Sequence, residues 1–180
     1  MIRLLDHVGR VARWGAWALV AAAALNLAAM MIQVTVDVAT KYLFNAPIPG
    51  TAEIVAYYYM VAAVFLPLPL VELRNKAISV DLFWNLFPGA LQRVTLALAY
   101  ALQVAFFTIL AIQTGADAMD AWASGALVEG IIPVLTWPGR FFLPVSFWLG
   151  VVVSSLRLIE ILLAPDWRAR VAHDDGGEVA

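Results

Sequence analysis

The stretch GAWALVAAAALNLAAMMIQVTV, residues 15–36, contains no charged side chain. An α-helix rises about 1.5 Å per residue, so this run is long enough to cross the roughly 30 Å hydrocarbon core of a bilayer. Three more uncharged runs follow it: Ile54–Val71, Val94–Ala116 and Phe141–Leu156. The last reaches spanning length if it starts near Ile131 and lets Arg140 snorkel to an interface. The fold class that follows is an all-α integral membrane protein with four transmembrane helices, at about 15–43, 53–71, 94–116 and 134–157. Short amphipathic helices lie at its membrane surfaces.

Composition agrees. The 180 residues are 63% apolar and 13% charged, against about 25% charged in soluble domains. The loops and tails are too short for a soluble domain, so residues 1–164 form one membrane domain and 165–180 a polar cytoplasmic tail. Cysteine is absent, which excludes thiol catalysis, disulfides and thiolate metal sites.

Lys and Arg set the orientation. With four spans, both tails and the loop between spans two and three share one side. That side holds nine basic residues; the other holds only Lys41 and Arg140. Both termini are therefore expected in the cytoplasm of a Gram-negative-type cell. The basic N-terminus precedes an apolar run too long for a secretory signal, so it reads as a retained first helix.

Along the chain, residues 1–14 place Leu4, Leu5, Val8, Val11 and Ala12 at helical spacing between charges. They read either as an amphipathic surface helix feeding span one or as a frayed basic tail. In span one, Asn26, Gln33 and Asp37 share a face, as helix–helix packing would require. That stripe is also the first guess for the side turned to a partner protein. Asn45 stops the helix, with Pro47 and Pro49 enforcing the break, and Thr51 can cap the next helix. Pro67 and Pro69 predict a kink or early end in span two. Residues 78–87 predict a surface helix, and span three is expected to run past Asp117 and Asp120 to Trp122.

Chemistry is largely missing. Both histidines, His7 and His173, lie in the tails, so bis-histidine haem ligation within the spans is excluded. No hydrolase triad, zinc motif or phosphate loop is present. No ionisable residue sits near the middle of a span, where a self-contained proton-coupled pump would need one. The chain is expected to be no enzyme, to carry no cofactor or metal, and to act as an accessory to a larger membrane partner.

Particular residues then become informative. Lys41-Tyr42-Leu43-Phe44-Asn45-Ala46-Pro47, followed by Glu53, resembles the end of the first helix in the DctQ-like small membrane subunits of TRAP (tripartite ATP-independent periplasmic) transporters. The usual Trp position of that family falls on Gly50 here, and its first Glu position on Ala52. A second match is Ala77-Ile78-Ser79-Val80-Asp81-Leu82, with Ala77 standing where the family often has His. A third is Ile132-Pro133, Trp137 and Pro144. Together they cover roughly residues 10–163.

The resemblance implies a division of labour. A soluble periplasmic protein captures an organic acid, commonly a carboxylate. A large membrane subunit moves it inward on a sodium gradient. The small subunit in the inner membrane is a scaffold that helps dock the binding protein. Its expected partners are these two proteins and membrane lipid, with no nucleic acid.

Candidate interface or structural residues are Lys41, Tyr42, Phe44, Asn45, Pro47, Glu53, Asp81, Trp137 and Pro144. For Asn45 and Pro47 a purely local turn role weighs more than partner contact. Lys41 and Glu53 can pair across the loop, and Asp81 can cap the surface helix, meet Arg74 or Lys76, or contact the large subunit on the cytoplasmic side. Asp117, Asp120 and Glu129 form either a solvated surface or an acidic docking patch. The competing function is a stand-alone homo-oligomeric transporter or channel with a lumen lined by Asn26, Gln33, Gln103 and Gln113. A quinone-linked enzyme anchor is disfavoured by the histidine-free spans.

Overall fold

The computed structural model describes residues 2–74, 89–129 and 132–163. Four helical stretches in it are long and apolar enough to cross a membrane: His7–Phe44, Thr51–Leu73, Leu91–Ala123 and Trp137–Leu163. The all-α membrane fold expected from the sequence is the one adopted. The predicted surface helix at 78–87 and Asp81 lie outside the described residues.

Helix α1 (Ile2–Phe44) runs 43 residues without a break, about 65 Å and twice the hydrocarbon thickness. The N-terminal segment is thus helical rather than frayed and feeds span one without a break, because nothing in residues 2–14 interrupts the hydrogen-bond ladder. Its exposed side carries Arg10, Arg13, Trp14 and Trp17, while Ala12 and Ala16 are buried on the other.

Span two comes in pieces: α2 (Thr51–Ile54), a π-helical segment (Val55–Tyr59), α3 (Met60–Phe65) and α4 (Leu68–Leu73). The predicted break falls at Leu66-Pro67. A proline ring cannot donate to the ladder, and the Pro67 carbonyl accepts from both Leu70 and Val71, at 3.0 and 3.1 Å. The π turn at the three tyrosines was not legible in the sequence.

Helix α5 (Gly89–Ala123) is 35 residues long and passes Asp117 and Asp120 as expected. Its end is a Schellman motif, in which Ala126 N–H reaches the Ala121 carbonyl (2.8 Å) and Gly125 N–H that of Trp122 (3.1 Å). Gly125 supplies the left-handed residue, with φ of 60°. A short antiparallel hairpin follows, pairing β1 (Leu127–Val128) with β2 (Val134–Leu135). Because β2 takes Val134 and Leu135, the fourth span begins at Trp137, with α6 (Trp137–Arg140) and α7 (Phe142–Leu163).

The seam between α5 and α7 depends on small side chains. Ser146, Gly150 and Ser154 stand one turn apart on α7 and are all buried. Opposite them, Ala111 and Ala118 of α5 are fully buried. A Cβ on Gly150 would lie 3.1 Å from the Phe107 ring, and one on Gly115 would lie 3.9 Å from Pro144 Cβ. Lipid tails are as apolar as leucine, so helices in a bilayer associate by close packing of this kind rather than by the hydrophobic effect. On the other side of the bundle, Ala23 of α1 meets Ala62 and Leu66, with Leu19, Ala22 and Phe142 around them.

At the end of the bundle nearest the termini, arginines satisfy carbonyls that the helix ends leave open. Arg93 Nε and Nη2 donate to the Ile161 and Leu162 carbonyls, at 3.0 and 2.8 Å. Arg157 donates to the Leu73 carbonyl (3.0 Å) and pairs with Glu160 at 3.7 Å.

Candidate functional site

The opposite end carries the motif residues. Helix α1 stops at Phe44 because Asn45 turns left-handed, with φ of 51°. Asparagine tolerates this conformation better than most side chains. The chain then returns through Pro47 to Ile48, whose N–H donates to Asp37 Oδ1 at 2.6 Å. Thr51 Oγ1 donates to the Ile48 carbonyl (3.1 Å) instead of capping α2. The N-cap position belongs to Gly50, one residue earlier than the sequence implied. Gly50 has φ of 87°, a conformation that strains any L side chain. The family's Trp position is therefore filled here by a residue whose backbone geometry calls for glycine.

The same end is tied to the hairpin. Tyr58 Oη donates to the Leu135 carbonyl. Buried Thr136 donates through both its N–H (3.0 Å) and its hydroxyl (3.2 Å) to the Ala126 carbonyl. A Cβ on Gly50 would sit 3.6 Å from Val134. Most tightly of all, a Cβ on Gly139 would lie 2.2 Å from the Tyr57 carbonyl oxygen, so α6 packs directly on the backbone of the π turn. The wider π turn and the missing side chain together let two backbones meet. The exit loop, span two, hairpin and α6 thus form one braced cap.

The motif residues divide sharply. Tyr42 and Phe44 are 82% and 73% exposed, and Lys41, Asn45 and Pro47 are exposed as well. Their side chains are available to something outside the chain. Glu53 is half-buried and makes no ion pair with Lys41, so that expected pairing is absent. Trp137 is half-buried, edge-on to Phe141 with ring centres 6.2 Å apart. Pro144 is buried against α5. It sits in the first turn of α7, where a missing N–H costs little. Asp117 and Asp120 are exposed on successive turns of α5, and Glu129 is exposed beyond β1. Among the described residues no three His, Asp or Glu side chains converge on one point.

The polar face of span one turns inward. Gln33 Oε1 accepts from Tyr59 Oη at 2.8 Å, Asp37 holds the exit loop, and Asn26 donates to its own helix at the Ala22 carbonyl (3.0 Å). The stripe is thus engaged inside the chain, Gln33 with span two, Asp37 with the exit loop and Asn26 with its own helix. The side left open is apolar: Val11, Trp14, Leu25, Ile32 and Tyr42 on α1, all exposed at heptad spacing. Leu91, Leu98, Leu102, Ile109, Ile112 and Met119 do the same on α5.

A multi-helix membrane protein with a braced cap and bare apolar flanks is the class that this geometry defines. Over residues 30–164 the sequence matches the family described as tripartite ATP-independent periplasmic transporters, DctQ component, and the chain belongs to that family. It is a small membrane subunit of a transporter and not an enzyme. No curated protein and no solved structure matches it.

Proposed function

We propose that this chain is the scaffold of a sodium-driven TRAP uptake system for organic acids. It packs beside the large membrane subunit and helps dock the periplasmic binding protein. It lies in the bacterial inner membrane with both termini cytoplasmic, as the nine-to-two distribution of basic residues supports. The observation that carries the reading is the inward-turned polar stripe of a DctQ-family bundle. The chain engages its span-one polar groups internally, and among the described residues it offers partners long apolar helix faces and a braced cap. Gln33 and Asn26 engaged within the chain also speak against a shared polar lumen.

The cap is the docking face in this reading. Tyr42, Phe44 and the carboxylates of Asp117, Asp120 and Glu129 are its exposed chemistry. An acidic surface raises the encounter rate with a basic one and loses that advantage as salt rises. Reversing all three charges should slow docking about tenfold at low salt and much less at high salt. Transport kinetics unchanged at both salt levels would reject the patch.

Co-purification tests the whole. The tagged chain, expressed with its genomic neighbours and extracted in mild detergent, should bring down one large membrane protein in stoichiometric amount. Sodium-dependent uptake should require both proteins and the binding protein. Recovery as a homo-oligomer that transports alone would overturn the reading.

A further inference from the structure

On α1, Arg10, Arg13, Trp14 and Trp17 fall within one third of the helix circumference, opposite buried Ala12 and Ala16. All four are exposed, the two tryptophans 74% and 48% so. Residues three and four apart on a helix are neighbours, which brings Arg13 beside Trp17 and Arg10 beside Trp14 and Arg13. From the other side, α4 ends at Leu73 and presents Arg74, whose guanidinium carbon lies 5.0 Å from the centre of the Trp17 ring. Arg74 is exposed too. Three arginines from two helices therefore lie along one flank with two indoles, Arg74 and Arg13 at Trp17 and Arg10 one turn further at Trp14.

None of the three forms an ion pair with a described carboxylate, Glu72 included. Arg157 and Arg93, also at this end, differ. Each donates to the carbonyls of a helix end, and Arg157 also meets Glu160. Among the described side chains the cluster is positive, and it sits at the level of the tryptophans, which favour the boundary between acyl chains and headgroups.

We infer that Arg10, Arg13 and Arg74, set along Trp14 and Trp17, form a site for the headgroup of an anionic phospholipid. Charge complementarity selects this occupant. Guanidinium groups bind phosphate oxygens in pairs. The indole faces and the apolar flank of α1 at Val11 accept the glycerol and upper acyl chain. A zwitterionic lipid brings the same phosphate with its own cation, which three arginines repel. Basic pockets between helices at a membrane surface take anionic headgroups for this reason.

The test uses the full chain in mild detergent and native mass spectrometry. Its probes are dioleoyl phosphatidylglycerol, dioleoyl phosphatidylcholine and inorganic phosphate. In detergent, the loss of a basic residue cannot act through membrane orientation. Phosphatidylglycerol should be retained over phosphatidylcholine. Each of Arg10→Gln, Arg13→Gln and Arg74→Gln should weaken it roughly fivefold, the factor equivalent to about 1 kcal/mol per basic residue near an anionic surface. Arg140→Gln, at the far end of the bundle, should leave the preference intact. Arg13→Gln keeps the test decisive if either of the other variants does not fold, since it changes an exposed position. Equal retention of the two lipids, or a preference unmoved by Arg13→Gln, would overturn the site. Inorganic phosphate competing at the same concentration as phosphatidylglycerol would overturn the lipid as its occupant.

Discussion

Two seams hold the bundle, and they work by different physics. Between α5 and α7 there is shape: Ser146, Gly150 and Ser154 let Phe107 and a row of alanines approach closely. Neither serine hydroxyl finds a partner there. Between α1 and span two there is polarity, with Tyr59 on Gln33 near one end and Arg74 on Trp17 near the other. In water both seams would draw on the hydrophobic effect. In lipid only packing and hydrogen bonds distinguish helix from tail, and the two seams draw on them in different proportion: Arg93 adds hydrogen bonds at one end of the first, and Ala23 packs on Ala62 and Leu66 within the second. The difference predicts that adding atoms to the shape-based contacts costs more than removing a polar tie.

The largest effect belongs to Gly139→Ala. Its methyl would stand 2.2 Å from the Tyr57 carbonyl, a backbone atom that cannot swing aside. A loss of about 3 kcal/mol or more is expected, at the upper end of overpacking costs. It would be read as the thermal midpoint of the detergent-purified chain. Wild-type stability would mean that α6 does not rest on the π turn. Next comes Gly150→Val, which presses on the Phe107 ring 3.1 Å away. The ring can shift, so about 1–3 kcal/mol is expected in the same assay. Asp37→Ala should cost about 1 kcal/mol, because the Ile48 N–H it holds is exposed and can turn to water. Its clearer signature is faster proteolysis between residues 45 and 50, with the midpoint lowered by about 2–4 °C.

What the sequence made legible follows this same division. Uncharged runs mark four spans because burial in lipid forbids charge along the whole length of a helix. Prolines marked the break at Leu66-Pro67, and Asn45 the stop of α1, since both act locally. The π turn, the hairpin and the Gly139 contact depend on which backbones meet, and no local pattern announces that. Asp37 was visible as a carboxylate near the membrane surface. Its bond to Ile48, 11 residues on, was not. Gly50 is the instructive case: the sequence shows it only as the residue at the family's usual Trp position, and its φ of 87° gives it a definite place. The spacing of Ser146, Gly150 and Ser154 was present in the sequence and passed over, because serine reads as polar before it reads as small.

The smallest effect sharpens the comparison most. Tyr59→Phe removes one hydroxyl from the α1–span two seam and leaves the ring, so only the bond to Gln33 is lost. Interhelical hydrogen bonds in membrane proteins average about 0.6 kcal/mol, because the separated helices find other partners for their polar groups. A cost of that size is expected here. The double-mutant cycle with Gln33→Leu should show that the two changes together cost no more than Tyr59→Phe alone plus the packing change at Gln33. A coupling of 2 kcal/mol or more would break the comparison, since a polar seam that strong would equal the packed one. A coupling near 0.5 kcal/mol would instead make α1 the helix most easily displaced from the bundle. It would then be the side of the chain that yields first when its apolar flank meets a larger partner.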